Sequence, residues 1–189
     1  GAAEAVGRRL QEAFGLERAI VVPAMPGDGD AVKALVGEAG ARYLEGILAD
    51  GATLGIAWGT TVRAVARALR PARLPRLRAV QMVGELGLAT EASETFRAIA
   101  DRLGGQAIAL PAPAMEKNAA VRRSILQSAH IKEVFRILRH ADIALTGIGP
   151  VSREATIVKR GHVTDAVMRR LAAQGAKGEI ATKFFDGKG

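Results

Sequence analysis

The stretch GIAWGTT, residues 55–61, is the first part of this sequence whose residue types and spacing suggest chemistry. Gly59 permits a close backbone approach to a ligand, and Thr60 and Thr61 place hydroxyl groups at the start of a predicted helix. The free N–H groups at such a helix end, together with the hydroxyls, form a small anion site suited to a phosphate. An ordinary helix cap at Thr60 explains the same residues equally well. The stretch lacks the lysine of a Walker loop.

A second candidate loop, QMVGELG at residues 81–87, follows the next predicted strand. Glycines on both sides of Glu85 indicate a sharp turn that exposes its carboxylate. An ionised carboxylate accepts hydrogen bonds from sugar hydroxyls. A solvated loop glutamate is the commoner case, and both interpretations stay open at this point.

Two further loops carry glycine or a carboxylate after a predicted strand. In TGIGP, Gly147 and Gly149 permit positive φ angles and close backbone approach, as a ligand cradle requires. A tight turn without a ligand explains these glycines nearly as well. In KFFDGKG, Asp186 is first of all a turn residue, because Asp-Gly is a turn signal, and secondly an acceptor for sugar hydroxyls.

Patterns for catalysis or metal binding are weak in this sequence. The spacings of His130, His140 and His162 match no metal-ligand motif, and no GxSxG nucleophile motif is present. The sequence has no cysteine, which excludes a thiolate nucleophile, a disulfide scaffold and cysteine-ligated metal. We therefore expect no catalytic residue, no metal and no cofactor.

Short apolar runs alternate with longer amphipathic segments, and these elements must position the four loops. Helices are predicted over Ala3–Phe14, Asp30–Ala49, Thr60–Leu69, Ser93–Leu103, Ala119–Ser128, Ile131–Arg139 and Val163–Ala173. Strands are predicted over Thr53–Trp58, Ala79–Val83, Ala107–Leu110, Ile143–Thr146 and Gly178–Phe184, and a further apolar run covers Ala19–Val22. This alternation predicts an α/β fold: one Rossmann-like parallel sheet with helices on both faces. In such sheets ligands bind beyond the carboxyl ends of the strands.

Length and composition are typical of a single globular domain. The chain has 189 residues, of which 49% are hydrophobic and 24% charged, so overall disorder is excluded. No apolar stretch is long enough to span a bilayer, so no membrane partner is expected. The lack of cysteine fits a reducing cytosol, and we expect a cytoplasmic location. The formal net charge is +8. Arg63, Arg67 and Arg70 form one arginine face of a predicted helix, and this face is either solvated, in contact with a subunit, or anion-binding.

Five pieces of sequence, each at a strand end, occur in order: LGIAWGTTVRAVARAL, LRAVQMVGELG, FRAIADRLGGQAIALPAP, ADIALTGIGP and GEIATKFFDGKG. Together they resemble the effector-binding domain of SorC-type bacterial transcriptional regulators. The resemblance extends over about Leu10–Gly189. It implies a Rossmann-like domain similar in fold to glucosamine-6-phosphate deaminase and ribose-5-phosphate isomerase.

The resemblance also implies a function for the domain. It would bind a phosphorylated sugar effector, whose arrival changes the packing of a homo-oligomer (dimer or tetramer) and the affinity for operator DNA. Carried over to this sequence, it implies effector or phosphate contacts from Gly59, Thr60, Thr61, Gln81, Gly84, Gly87, Gly147, Gly149 and Asp186. Glu85 lies where many relatives have glycine, and is expected to narrow the pocket or change the effector.

Two departures from the family pattern affect the domain assignment. The helix-turn-helix that would contact operator DNA is absent, and the chain stops where the family domain continues. We therefore expect residues 1–189 to be the effector domain without these two parts. The alternative function is a sugar-phosphate isomerase or deaminase of related fold, which requires a positioned base near the phosphate loop. None of the four loops offers a convincing carboxylate–His or carboxylate–Lys pair, so a non-enzymatic sensor is the preferred interpretation.

Overall fold

The computed structural model describes residues 1–23, 27, 29–86 and 91–189, with the backbone alone at residues 91–93. Over these residues the helices are α1 (Ala2–Phe14), α2 (Gly29–Ile47), α3 (Thr60–Ala68), α4 (Glu91–Leu103), α5 (Ala119–Gln127), α6 (Ala129–Arg139), α7 (Thr156–Lys159) and α8 (Asp165–Ala173). The strands are β1 (Thr53–Ile56), β2 (Arg78–Gln81), β3 (Gln106–Ile108), β4 (Ile143–Leu145), β5 (Gly178–Ile180) and β6 (Lys183–Phe185).

β1 lies in the interior of a parallel sheet, whose strand order in the described part of the chain is β3-β2-β1-β4. Gly55 of β1 pairs with Val80 of β2 on one side and with Ala144 of β4 on the other. Every residue of β1 is buried, as expected for a strand that has neighbours on both edges and helices on both faces. The predicted α/β fold with a parallel sheet is confirmed.

Neighbouring residues of β2 point to opposite faces of the sheet, and helices cover each face. Ala79 belongs to a buried cluster that includes Val65 of α3 and Phe96 of α4. Val80 belongs to a second cluster, in which Ile131 and other residues come from α6. Burial of a large apolar side chain stabilises a fold by about 1.5–3 kcal/mol, so both faces help to fix the strands and the loops that follow them.

The C-terminal segment forms a hairpin, whereas a single strand was predicted over Gly178–Phe184. β5 pairs antiparallel with β6, and the turn residues Ala181 and Thr182 have φ angles of 50° and 66°. A two-residue turn with positive φ at both positions matches the twist of the paired strands. The carboxylate of Glu179 accepts a hydrogen bond from the N–H of Thr182 and so stabilises a turn that these residue types do not favour.

Two other segments add detail to the sequence pattern. The apolar run Ala19–Val22 forms no regular secondary structure and passes close to α1, where the Ala19 carbonyl oxygen lies 2.9 Å from the position that a Cβ on Gly7 would occupy. The helix predicted from Val163 begins at Asp165, because the Thr164 hydroxyl accepts the N–H of Val167 at 3.3 Å and caps the helix.

Candidate functional site

The turn between β1 and α3 presents unpaired backbone donors. Gly59, the residue before α3, has a φ of 143°, a value that favours glycine. None of the described residues accepts the N–H groups of Thr60, Thr61 and Val62, and the first backbone bond of the helix runs from the N–H of Arg63 to the Gly59 carbonyl at 2.9 Å. The start of α3 therefore offers a group of donors and the positive end of a helix dipole.

The loop after β4 lies beside this turn because β4 is the neighbour of β1 in the sheet. The N–H of Ala57 donates to the Leu145 carbonyl at 2.9 Å, which joins the two loops at their base. Val62 Cγ2 lies 3.8 Å from the positions that Cβ atoms on Gly59 and Gly147 would occupy, so both glycines flank the same side chain. The sheet thus brings together two glycine-containing loops that are far apart in the sequence.

A cavity of about 510 Å³ lies between the two loops, α7 and the β5–β6 hairpin. Among the predicted effector residues, those that line it are Gly59, Thr60, Thr61, Gly147 and Gly149. The aromatic ring of Trp58 also lines it and meets the ring of His162 edge-on, with 6.4 Å between the ring centroids. The structure therefore gathers half of the predicted residues around one cavity. That these residues contact an effector stays a prediction.

The charges around this cavity are mixed. Lys33, Lys159 and Arg160 line it, and the Lys33 ammonium lies 3.0 Å from Asp30 Oδ1. Glu154 also lines it and pairs with Arg153 at 2.9 Å. The hydrogen bond from the Arg153 guanidinium lowers the pKa of Glu154, so this carboxylate is ionised at neutral pH with its charge offset locally.

Glu179 is a cavity residue that the sequence reasoning missed. It is 6% exposed, and burial raises the pKa of its carboxyl group, an effect that the hydrogen bond from the Thr182 N–H opposes. Its backbone pairs with Gly149, with N–H···O distances of 2.8 and 2.9 Å. Its Oε2 lies 2.7 Å from the position that a Cβ on Gly149 would occupy. Gly149 therefore permits a close approach of this buried carboxylate to the loop after β4.

The predicted residues after β2 have a different environment. Gln81 is buried; its Oε1 accepts the N–H of Leu110 at 3.0 Å, and its Nε2 donates to Glu85 Oε1 at 3.1 Å. Glu85 is half-buried and hydrogen-bonded, so the prediction that its carboxylate is exposed was wrong. The carbonyl oxygen of Ala112 lies 2.2 Å from the position of a Cβ on Gly84, and this close approach of two backbones requires glycine.

Another predicted effector residue, Asp186, does not line this cavity. Asp186 lies beyond β6, where its Oδ1 accepts the N–H of Lys188 at 2.8 Å, as its role in a turn would require. It lines a separate cavity beside α8, together with Leu171 and Phe185. Gly87 lies outside the described residues.

Part of the predicted arginine face is paired with acidic residues. The Arg70 guanidinium donates to Glu45 Oε2 at 2.6 and 2.8 Å, and this hydrogen bonding lowers the pKa of the Glu45 carboxyl. Arg76 lies outside this face, and its guanidinium donates to Asp50 Oδ2 at 2.8 Å. The two arginines connect the region after α3 to the end of α2 and to the turn that follows it, which argues for a structural role at these two positions.

Comparison with known proteins connects this geometry to a family. The Sugar-bind family model, which describes a sugar-binding domain, matches residues 3–189. The chain belongs to this sugar-binding domain family. The deoxyribonucleoside regulator of Bacillus subtilis is 30% identical over 189 residues, a match that covers 98% of this chain and 60% of the regulator. The erythritol catabolism regulatory protein EryD of Brucella abortus is 28% identical and matches over 96% of this chain and 58% of its own length.

Solved structures agree with the fold of this sugar-binding domain. The full-length sorbitol operon regulator SorC from Klebsiella pneumoniae superimposes with a TM-score of 0.87 at 23% identity, over 98% of this chain and 62% of SorC. A DeoR family regulator from Listeria monocytogenes gives a TM-score of 0.90 at 22% identity, over 98% and 74% of the two chains. The domain spans about 60% of the length of the curated regulators that it matches.

Within the part of the chain that the structure describes, no cluster of three or more His, Cys, Asp or Glu side chains could hold a metal ion. No helix in that part of the chain is both long and apolar enough to cross a membrane.

Proposed function

We propose that the cavity between the turn after β1 and the loop after β4 binds a phosphorylated sugar, and that this binding regulates a longer DNA-binding protein. The observation that carries the proposal is the convergence of Gly59, Thr60 and Thr61 with Gly147 and Gly149 on one cavity. Membership in a sugar-binding domain family supports a sugar as the ligand.

The phosphate group is assigned to the start of α3. The unpaired N–H groups of Thr60, Thr61 and Val62 provide donors, and the threonine hydroxyls add further donors that line the cavity. Lys33 and Lys159 contribute positive charge from two other elements of the cavity wall. A helix N-terminus combined with nearby cations favours a doubly charged phosphate over a neutral sugar.

The sugar itself is assigned to the side of the cavity formed by the hairpin. Glu179 lines this side with a buried carboxylate, whose Oε1 accepts the N–H of Thr182. A carboxylate oxygen has more than one acceptor site, so Glu179 accepts a sugar hydroxyl while it keeps the turn in place. The half-buried ring of Trp58 supplies an apolar surface to the same cavity.

Binding of the phosphorylated sugar is proposed to regulate the protein and not to lead to a chemical reaction. The relatives are named as regulators, and they are longer than this chain. In the proposed mechanism, the effector binds one arrangement of a homo-oligomer more tightly, and by linkage this difference changes operator affinity by about 1–3 kcal/mol. DNA contact would come from a helix-turn-helix outside these residues, and the protein would act in the cytoplasm.

The test is a thermal-shift titration of the intact regulator with a panel of sugar phosphates, the corresponding free sugars and inorganic phosphate. Ligand at 100 times its Kd raises the free energy of unfolding by about 2.7 kcal/mol, which a melting curve resolves. We expect stabilisation by a phosphosugar, weaker stabilisation by its free sugar, and no turnover of the ligand. Turnover would favour the isomerase or deaminase alternative.

The assignment of the phosphate is tested with Thr60→Ala combined with Thr61→Ala. Loss of two hydroxyl donors to a charged group is expected to weaken the phosphosugar at least tenfold, while the free energy of unfolding without ligand changes by less than about 0.5 kcal/mol. Ser124→Ala, an exposed hydroxyl on α5, is the matched control. Unchanged phosphosugar affinity in the double variant would overturn the assignment.

A further inference from the structure

A second cavity, of about 250 Å³, lies beyond the carboxyl ends of β2 and β3, and the proposed sugar-phosphate site does not use it. We call it the α5–α6 cavity. Leu110 and Ile131, which are 4% and 3% exposed, form its inner wall. Leu126 of α5 and Phe135 of α6 line it from the helical side, and the hairpin turn at Ala181–Thr182 closes one end.

The lining of this cavity is mainly apolar, which favours an apolar ligand group. In another protein a dry apolar cavity of about 150 Å³ binds benzene, so the α5–α6 cavity has room for a small hydrocarbon body. Water in such a cavity finds few hydrogen-bond partners, and its displacement by an apolar group is favourable.

α5 covers this cavity loosely. None of its residues is buried, and Leu126 is 39% exposed although it lines the cavity. The helix is anchored at its start, where the Asn118 side chain accepts the N–H groups of Ala120 and Val121. A helix that is held by its cap and has no buried side chain is able to adjust its position when a ligand enters.

Two cationic side chains line the same cavity. Arg122 comes from α5 and Lys183 from β6, and neither side chain has a hydrogen bond or ion pair with another described residue. Glu116 is the acidic lining residue, and its Oε1 accepts the N–H of Asn118 at 2.6 Å. The carboxylate is thus engaged in the turn that precedes α5, whereas both cations are available to a ligand.

We propose that the α5–α6 cavity binds a small amphipathic anion, such as a medium-chain or aromatic carboxylate. The apolar body lies against Leu110, Ile131 and Phe135, and the anionic group pairs with Arg122 and Lys183. This site is separate from the sugar-phosphate cavity and does not depend on its assignment. Ala181 lines both cavities, so the hairpin turn forms the wall between them.

The test uses two probes with the same hydrocarbon body, octanoate and 1-octanol, titrated calorimetrically into the intact regulator. We expect octanoate to bind at least tenfold more tightly than octanol, because it alone carries an anionic group for the two cations. Arg122→Ala combined with Lys183→Ala removes this preference. Arg123→Ala, the neighbouring exposed arginine on α5, keeps it. Equal affinity for the two probes in the unaltered protein would overturn the anionic part of the proposal.

Two further variants test the position and the independence of the site. Leu126→Trp enlarges a partly exposed lining residue and is expected to block both probes without disturbing the buried core. Thr60→Ala with Thr61→Ala leaves octanoate affinity unchanged, since these residues line the other cavity. Octanoate binding that survives Leu126→Trp would overturn the position, and octanoate binding that is lost in the threonine variant would overturn the independence of the two sites.

Discussion

The loops after β1 and β2 both contain glycine and polar residues at a strand end, but their polar groups differ in whether they have hydrogen-bond partners. After β1, the N–H groups of Thr60 and Thr61 have no acceptor among the described residues and lie beside a cavity. After β2, Gln81 bonds to Leu110, and the backbone of Glu85 pairs with the loop after β3. Polar groups without an internal partner are available to a ligand, whereas those after β2 already stabilise the fold.

The neighbouring element explains this difference. The loop after β2 meets the loop after β3: the Glu85 N–H donates to the Ala112 carbonyl at 2.8 Å, and the Ala114 N–H donates to the Glu85 carbonyl at 2.9 Å. The loop after β1 meets the loop after β4 at its base and then diverges from it, which leaves the cavity between Gly59 and Gly147. Two glycine-containing loops that look alike in the sequence therefore have different roles.

The largest difference in stability between the two loops is expected for substitutions of their glycines. Gly84→Ala places a Cβ 2.2 Å from the Ala112 carbonyl oxygen, so one of the two backbones must move. We expect a loss of about 3 kcal/mol in the free energy of unfolding, measured by urea denaturation. At Gly147 a Cβ meets its nearest neighbour, Val62 Cγ2, at 3.8 Å, which is ordinary contact. Gly147→Ala is therefore expected to cost less than about 1 kcal/mol.

These two glycine variants also separate stability from binding. Gly147→Ala introduces a methyl group at the wall of the proposed sugar-phosphate cavity and is expected to lower effector affinity while the fold persists. If Gly84→Ala proved as stable as the unaltered protein, the contact between the loops after β2 and β3 would not have the structural role assigned to it.

The next effect is expected at Gln81. Gln81→Leu keeps a similar side-chain volume but removes the acceptor for the Leu110 N–H, which would then be buried without a partner. An unsatisfied buried donor costs about 1–3 kcal/mol, and urea denaturation should show a loss of about 2 kcal/mol. Thr61→Val, the matched change after β1, removes a hydroxyl that makes no bond within the described residues and is expected to leave the stability unchanged. Similar losses in both variants would remove the distinction between the two loops.

The sequence was sufficient to predict the parallel sheet and the strand-to-helix turn that follows β1. Buried runs such as Thr53–Ile56 and the helix that starts at Thr60 follow directly from periodicity and turn residues. The role of Gln81 could not be predicted, because it depends on the register that places Leu110 opposite its side chain. Glu179 was missed for a similar reason: the hairpin that buries it has two turn residues, Ala181 and Thr182, whose types do not indicate positive φ angles.

The smallest expected effect is on the pH dependence of the free energy of unfolding. It arises from Glu179, which lines the cavity beside the loop after β1. Burial raises the pKa of Glu179 in the folded state, so the folded protein holds this proton more tightly than the unfolded chain does. The stabilising contribution of the protonated form is present at low pH and is lost as the pH rises through the raised pKa. Glu179→Gln keeps an acceptor for the Thr182 N–H but does not ionise. Relative to the unaltered protein, its free energy of unfolding should therefore increase from pH 4 to pH 7.

Glu154→Gln is the control for this pH dependence, because the pKa of Glu154 is lowered by the hydrogen bond from Arg153. Its ionised form stabilises the folded protein, so the glutamine variant should lose relative stability as the pH rises over the same range. Two carboxylates on the wall of one cavity are thus expected to give opposite slopes in urea denaturation at a series of pH values. A flat profile for Glu179→Gln would mean that Glu179 is as well solvated in the folded protein as in the unfolded chain. The proposal that Glu179 is a buried acceptor for a sugar hydroxyl would then be wrong.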